Sequence, residues 1–457
     1  MNLEDLKHVY FIGVGGIGMS ALARYFNDKG IKVSGYDKTE TVLTKKLVSE
    51  GISVHYEDNV KLIPEDIDIV VYTPAIPKQH RQLNKLRNTS TPIYKRSEVL
   101  GFLSESHDAI AIAGTHGKTS STAMTAHILR TCGIDASAFV GGILADYETN
   151  YFAGDGRWVV LEADEYDRSF LHLHPEVTIL QSMDADHLDI YQSHQVMIDS
   201  FIEFLHKTEY GGKLIIKDDL ISLIDANTLK ELKSQYSIVS FGFSKEADAR
   251  LSNGFVEDGM TGFTLEYKGE SVSVLQYLPG NHNRLNATAA IVAASFAGCS
   301  LKEAAAALTV FKGIKRRYEV VARRDVVYVD DYAHHPSELD AAIQATRELF
   351  PGSRILGIFQ PHLYSRTRDF AKGFGHSLSQ LDEVVLMDIY PAREEPINGV
   401  SSKMLLPYIN HENKSLQNEE EIINKIKEKN YDVLLTLGAG DIDLLVPKIK
   451  DIILNNG

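Results

Sequence analysis

The segment Ala113-Gly114-Thr115-His116-Gly117-Lys118-Thr119-Ser120 gathers two glycines, a lysine and three hydroxyls in one loop. Each residue type has a use with a nucleoside triphosphate. Backbone amides of a glycine-rich loop wrap phosphate oxygens, a lysine reaches the β- and γ-phosphates, and a threonine hydroxyl ligates Mg2+. Ile112 stands where the strict G-x-x-x-x-G-K-T form has its first glycine. The parts that do the chemistry are nevertheless present, between an apolar strand at 109–113 and a helix. The bland alternative is an exposed lysine at a helix start. It leaves the glycines and Thr119 unused.

A second cradle precedes the first in the chain. Gly13-Val14-Gly15-Gly16-Ile17-Gly18 fits G-x-G-x-x-G, after an apolar run at 8–12. Gly15, Gly16, Ile17 and Gly18 can present amides to a diphosphate at a helix N-terminus. Asp37 ends the next strand, where a carboxylate can take a ribose. The physics suits any nucleotide diphosphate, NAD included, and the bland alternative is a tight turn with no ligand. Two cradles point to two nucleotides, one an energy source and the other a carrier of substrate.

Other candidates surround these loops. Glu162 ends a strand at 159–161 expected beside the lysine loop, where a carboxylate suits Mg2+ near a γ-phosphate. Within the acidic run of Glu162, Asp164, Glu165 and Asp167, position alone selects Glu162. Asn283 and Asn286 share one face of a helix start, and amides suit adenine, although Asn283 also suits a helix cap. Arg316 and Arg317 can clamp phosphates or form a solvated hinge pair. Asp331 ends a strand, where it can accept ribose hydroxyls. Arg366 can take a carboxylate through two parallel hydrogen bonds. His187 sits among Asp184, Asp186 and Asp189, which by spacing alone reads as a paired histidine. His335 precedes Pro336, a natural first residue of a helix.

The elements that must position these groups follow from periodicity. Helical and strand patterns alternate along 457 residues, the mark of an α/β fold with parallel sheets. Three domains are expected. Residues 1–107 form an N-terminal Rossmann-like domain, 108–314 a central P-loop ATPase-like domain, and 315–457 a C-terminal Rossmann-like domain. Short alternating strands at 248–275 read as an antiparallel appendage on the central domain. Strands in the last block are expected at 326–331, 354–359, 383–387 and 433–437.

Composition excludes several classes. A net charge of −15 argues against a nucleic-acid binder. The longest apolar stretch, 287–299, falls short of the roughly 20 residues of a membrane span. The first residues lack the build of a signal peptide. Cys132 and Cys299 read as buried free thiols, so the cytoplasm is the expected compartment.

The lysine loop resembles the G-T-x-G-K-T loop of the Mur ligases and their folylpolyglutamate synthase relatives. Further matching segments follow in order: Glu162-Ala163-Asp164-Glu165, Asp184-Ala185-Asp186-His187-Leu188-Asp189, His282-Asn283-Arg284-Leu285-Asn286-Ala287 and Arg316-Arg317. Asp330-Asp331-Tyr332-Ala333-His334-His335-Pro336 and Gln360-Pro361-His362-Leu363-Tyr364-Ser365-Arg366-Thr367-Arg368 complete the set. The resemblance covers essentially the whole chain. The Asp-Asp-Tyr-x-His-His-Pro segment and the opening glycine loop are most similar to members that add L-alanine.

The resemblance implies ATP and Mg2+ as cofactors, with UDP-N-acetylmuramate and L-alanine as substrates. It implies a UDP site at Gly15, Gly16, Ile17, Gly18, Asp37, His55 and Thr73. ATP would meet Gly114, Thr115, His116, Gly117, Lys118, Thr119, Ser120, Asn283, Asn286, Arg316 and Asp331. Metal would be held by Thr119, Glu162 and His187. Lys118, His187, His334 and Arg366 would be catalytic. Two departures stand out. Leu363 replaces an arginine of the common Gln-Pro-His-Arg-Tyr pattern, so Arg368 is a candidate to help Arg366 bind a carboxylate. Thr73-Pro74 stands where Ser-Ser is usual. Small-molecule substrates are implied, with no nucleic acid, no membrane, and a monomer or homodimer. Rival readings are a ligase for a tripeptide, an NAD-dependent oxidoreductase and a P-loop switch without ligation.

Overall fold

Three sheets organise the chain in the computed structural model, which describes residues 3–185, 188–257, 260–392 and 394–455. The first sheet holds Ser53–His55, Lys32–Tyr36, His8–Ile12, Ile69–Tyr72 and Ile93–Lys95 in that spatial order, all parallel. His8–Ile12 is buried at every position, as a strand covered on both faces must be. Its chain leaves toward Lys32–Tyr36, whereas the chain leaving Ile69–Tyr72 turns to the opposite edge. That reversal opens a crevice at the carboxyl ends of these strands, where ligands of open α/β sheets bind.

The second sheet runs in the order Glu270–Gln276, Met260–Tyr267, Ala249–Glu257, Ser237–Gly242, Lys213–Lys217, Val177–Leu180, Asp108–Ala113, Trp158–Ala163, Ala136–Phe139 and Tyr151–Phe152. Asp108–Ala113 is central and pairs in parallel with Trp158–Ala163 on one side and Val177–Leu180 on the other. Met260–Tyr267 and Glu270–Gln276 are joined by Lys268 and Gly269 alone, at φ of 51° and 79°. Two left-handed residues are what a two-residue hairpin demands, so the expected antiparallel appendage is there.

The third sheet orders Glu319–Arg323, Val327–Asp331, Val433–Leu437, Ile355–Phe359, Glu383–Leu386 and Lys414–Leu416. The first pair is antiparallel and the remaining neighbours are parallel. The four inner strands match the expected ones. The two edge strands are short, with at most three consecutive apolar residues beside charged ones, and were not anticipated.

By internal contacts the chain falls into two compact units. One is Met1–Gly254, Phe263–Leu275 and Leu285–Phe311; the other is Phe255–Gly262, Gln276–Arg284 and Lys312–Gly457. The first unit carries the first sheet and most of the second, and one apolar core runs through it. Tyr25 of the helix Ile17–Asp28 meets Phe139 and Tyr151 there, at ring-centroid distances of 5.6 and 6.3 Å. The third sheet has its own core in the second unit.

The reading of both cysteines as free thiols is corrected. Cys132 and Cys299 are bonded to one another, with Cα atoms 5.9 Å apart. Cys132 caps the helix Lys118–Thr131 and Cys299 follows the helix Asn281–Phe296. Helix packing brings these distant ends together, and spacing in the chain cannot show that. Among the described residues, no helix is long and apolar enough to cross a membrane.

Candidate active site

The lysine loop leaves Asp108–Ala113 and enters the helix Lys118–Thr131 through Gly117, whose φ of 83° is left-handed. A Cβ at Gly117 would stand 2.6 Å from Asn286 Oδ1, and one at Gly114 would stand 2.8 Å from the Ser182 amide nitrogen. The glycines therefore admit neighbours as well as strained torsions. Ser182 ties the loop down: its Oγ accepts from the His116 amide at 2.7 Å and lies 3.0 Å from Thr115 Oγ1. Asp184 donates its amide to Thr115 Oγ1 at 3.1 Å. His116 Nε2 lies 3.8 Å from Asp184 Oδ2, and Ser120 sits in the first helical turn, half-buried.

Lys118 donates to the Gly114 carbonyl at 2.5 Å and pairs with Glu165 at 2.7 Å. Burial works against the ammonium, but the charges of Glu165, Asp164 and Glu162 outweigh it and hold the Lys118 pKa above its ordinary value. The lysine is thus a permanent cation at the mouth of the loop. Thr119 donates to Glu162 Oε1 at 2.9 Å, and Glu162 Oε2 accepts from the Gly141 amide at 2.8 Å. Burial pushes the Glu162 carboxyl up, against the pull of Lys118. A hydroxyl and a carboxylate so placed offer hard oxygen donors to Mg2+. Among the described residues no group of three or more His, Cys, Asp or Glu could hold a metal unaided. The fit is to a cation that completes its shell with phosphate oxygens and water.

The first cradle is built at the crevice of the first sheet. Gly15 donates its amide to Asp37 Oδ2 at 2.7 Å, and Asp37 Oδ1 accepts from Thr39. Asp37 therefore shapes the loop with both of its oxygens. Gly16 is the N-cap of Ile17–Asp28 and brings no side chain to the cap. Gly16 and Ile17 are exposed, and Gly18 is half-buried. Thr73 reaches the loop from the neighbouring strand, its Cγ2 at 3.0 Å from a Cβ built on Gly13. His55 ends Ser53–His55; its Nε2 meets the Tyr10 hydroxyl at 2.8 Å, and burial lowers its pKa.

The helix Asn281–Phe296 carries both asparagines near its start, and both are buried. Asn283 donates to the Pro279 carbonyl at 2.8 Å, bracing the turn that leads into the helix. Asn286 is the residue that faces Gly117.

In the second unit, Arg316 donates to Asp330 Oδ2 at 3.2 Å and to the Gly438 carbonyl at 2.6 Å. Arg316 and Arg317 both lie over the Tyr332 ring, at 5.2 and 5.1 Å. Asp331 accepts from the Tyr318 and Ala333 amides at 2.7 Å each; burial pushes its carboxyl up to about 7, against the pull of Arg317. His334 Nδ1 is 3.0 Å from the Tyr332 carbonyl, which can only accept, so Nδ1 carries the proton and Nε2 is bare. Burial lowers its pKa and favours the neutral ring. His335 caps the helix Pro336–Leu349, as the adjacent proline suggested.

Arg366 and Arg368 separate in role. Arg368 is exposed and pairs with Asp369 at 2.7 Å. Arg366 is half-buried, near enough for its charge to lower the His334 pKa, and no acidic partner is seen among the described residues. His187 lies outside the described residues.

Sequence reasoning passed over Glu165, Ser182 and Arg96. Glu165 stood in the acidic run with nothing to distinguish it; burial to 2% exposure beside Lys118 does. Ser182 gave no signal. Arg96 opens a helix, and its guanidinium lies against Gly18.

Models of three Mur ligase domains match in order. The Mur ligase family catalytic domain covers residues 8–107, the Mur ligase middle domain 112–294, and the Mur ligase glutamate ligase domain 316–440. A UDP-N-acetylmuramate–L-alanine ligase of Cytophaga hutchinsonii is 48% identical over 98% of this chain and 97% of its own. One from Flavobacterium johnsoniae is 46% identical over the full length of both. Among solved structures, the UDP-N-acetylmuramate–alanine ligase of Thermotoga maritima superposes with a TM-score of 0.82 at 26% identity, covering 98% of this chain and 100% of the other. A murein peptide ligase from Psychrobacter arcticus gives 0.70 at 23% identity, covering 98% and 99%, and shares the fold.

Proposed function

The chain belongs to the Mur ligase family, and from that premise we propose that it joins L-alanine to the carboxylate of UDP-N-acetylmuramate with cleavage of ATP to ADP and phosphate. The observation that carries this reading is the presence of two nucleotide cradles in one compact unit, Gly13–Gly18 and Gly114–Ser120. An oxidoreductase has no use for the second cradle. Domains at 1–107, 108–314 and 315–457 would, on this reading, take the UDP-sugar, ATP and the amino acid in turn.

A carboxylate is a poor acyl donor because oxide is a poor leaving group. Transfer of the γ-phosphoryl group to the sugar's carboxylate makes phosphate the leaving group instead. Lys118 places a cation against the phosphate oxygens as charge moves between them. Thr119 and Glu162 would hold Mg2+, which when bound neutralises phosphate charge. Asn286, with Asn283, suits the adenine, and Asp331 a ribose. The amine of alanine must be neutral to attack the acyl phosphate. Bare Nε2 of neutral His334 is suited to accept a proton there, and Arg366 to hold the amino acid's carboxylate. His187 is proposed as a further metal contact on resemblance alone. Collapse of the tetrahedral intermediate yields amide and phosphate.

The experiment is phosphate release by the purified chain with ATP, Mg2+ and UDP-N-acetylmuramate, against alanine, serine, glycine and a tripeptide with a free amino terminus. Release is expected only when nucleotide sugar and amino acid are both present, fastest with alanine. Faster turnover with the tripeptide, or release independent of the sugar, overturns the reading.

A further inference from the structure

Between the two cradles stands a cation that neither motif contains. A Cβ on Gly18 would collide with the Arg96 guanidinium, at 2.9 Å from its Cζ. Gly18 lies in the first turn of Ile17–Asp28, the end whose amides have no carbonyl partners within the helix. The same guanidinium donates to Asp164 Oδ2 at 3.2 Å, and both side chains stay reachable by solvent, at 24% and 37% exposure. Its neighbour Lys95 is already committed to Asp167 at 2.7 Å.

Asp164 lies between Glu162, which holds Thr119, and Glu165, which holds Lys118. Its charge is felt at both cradle groups, raising the pKa values of Lys118 and Glu162. The segment from Asp164 onward is tightly built: Asp167 and Arg168 are left-handed at φ of 54° and 52°, and the Tyr191 hydroxyl donates to the Glu165 carbonyl at 2.5 Å. A pull on Asp164 has little slack through which to dissipate.

We propose that Arg96 binds the diphosphate of the nucleotide sugar and, through Asp164, acts as a positioning residue for the acidic segment of the ATP cradle. This rests on Gly13–Gly18 being the nucleotide-sugar cradle. A guanidinium offers five donors in a planar fork, so one edge keeps Asp164 while another takes phosphate oxygens. Absence of a side chain at position 18 is what lets the fork reach the helix end. Diphosphate and Asp164 share one cation, so arrival of the sugar nucleotide is felt at the segment that holds Lys118.

Calorimetry with UDP and UMP, without ATP, tests the first half. Wild type is expected to bind UDP more tightly than UMP. In Arg96→Ala that preference collapses by about tenfold or more, and Arg96→Lys restores part of it. Gly18→Ala, which displaces the guanidinium, behaves like Arg96→Ala. Equal loss of UDP and UMP affinity marks a structural role only and overturns the proposal, as does unchanged UDP affinity. Should Arg96→Ala fail to fold, Arg96→Lys reads the same preference with the charge kept. Failure of wild type to bind UDP overturns the cradle reading underneath and the proposal with it. For the second half, Asp164→Asn is expected to keep the UDP-over-UMP preference yet raise KM for ATP. Adding Arg96→Ala to it should raise that KM no further. An unchanged KM in Asp164→Asn overturns the positioning role.

Discussion

Lys118 and Glu165 form a pair whose value is electrostatic rather than stabilising. A half-buried cation is held charged by a buried carboxylate, and the net gain to folding of such a pair is small. What it secures is an ammonium present at every working pH. Lys118→Ala is expected to lower kcat by about a hundredfold or more, since it removes a cation aimed at moving charge. Phosphate-release kinetics check this, and near-normal turnover would refute the role. Asp331 carries a pH dependence instead. Its carboxyl is raised to about 7, against roughly 3.9 in an unfolded chain. The folded state then holds an extra proton between those values, so stability falls as pH rises from about 4 to 7 and levels above. Asp331→Asn should flatten that slope. Urea titrations at pH 5, 7 and 8.5 would show it.

At the scale of elements, the helix Tyr364–Asp369 begins on a strained residue. Leu363 has φ 70° and ψ 138°, a region that side chains resist. It persists because neighbours hold it. Its amide donates to the Tyr390 carbonyl at 3.0 Å, and its own carbonyl accepts from Thr367 Oγ1 at 2.7 Å. The helix so fixed carries Arg366. Leu363→Gly removes the Cβ penalty and is expected to stabilise the chain by about 1 kcal/mol. If the strain serves to aim Arg366, the same variant raises KM for alanine. Denaturant midpoints and alanine titrations separate the two effects. Leu363→Arg leaves the strain in place and adds a cation. A lower KM for alanine in that variant would mark Leu363 as facing the carboxylate.

At the scale of the molecule, the bond between Cys132 and Cys299 closes a long stretch of chain, with a sequence separation of 167 residues. Loop-closure entropy alone sets an upper bound of about 5 kcal/mol on its stabilisation. Thiol titration of the native protein is expected to find no reactive cysteine before reduction and two after. Reduction should lower the denaturant midpoint, and Cys132→Ser should abolish the difference between reduced and oxidised samples. Two free thiols in protein purified without reductant would refute the bond. Both bonded helices carry cradle residues at their starts, Lys118 and Thr119 on one and Asn286 on the other, so ATP affinity should be measured in both states.

Local order was legible wherever it is set by neighbours in the chain. Alternation of apolar runs and helical stretches foretold the inner strands of the third sheet and, in the second, Asp108–Ala113 and Trp158–Ala163, because each buries a contiguous segment; Ala136–Phe139, Val177–Leu180, Lys213–Lys217 and Ser237–Gly242 were not anticipated. The glycine loops were legible because phosphate recognition needs amides within a few residues of one another. The helix cap at His335 and Pro336 was equally local. Tertiary structure decided what depends on residues far apart. It chose Glu165 over its acidic neighbours as the partner of Lys118, and brought Ser182 under the loop. It separated Arg366 from Arg368 by burial, and joined Cys132 to Cys299. It also laid Arg96 against Gly18. Side-chain type and spacing determine which chemistry a chain can attempt. Which of several like residues performs it is set by burial and by charges that only folding brings within a few ångströms, where water no longer screens them.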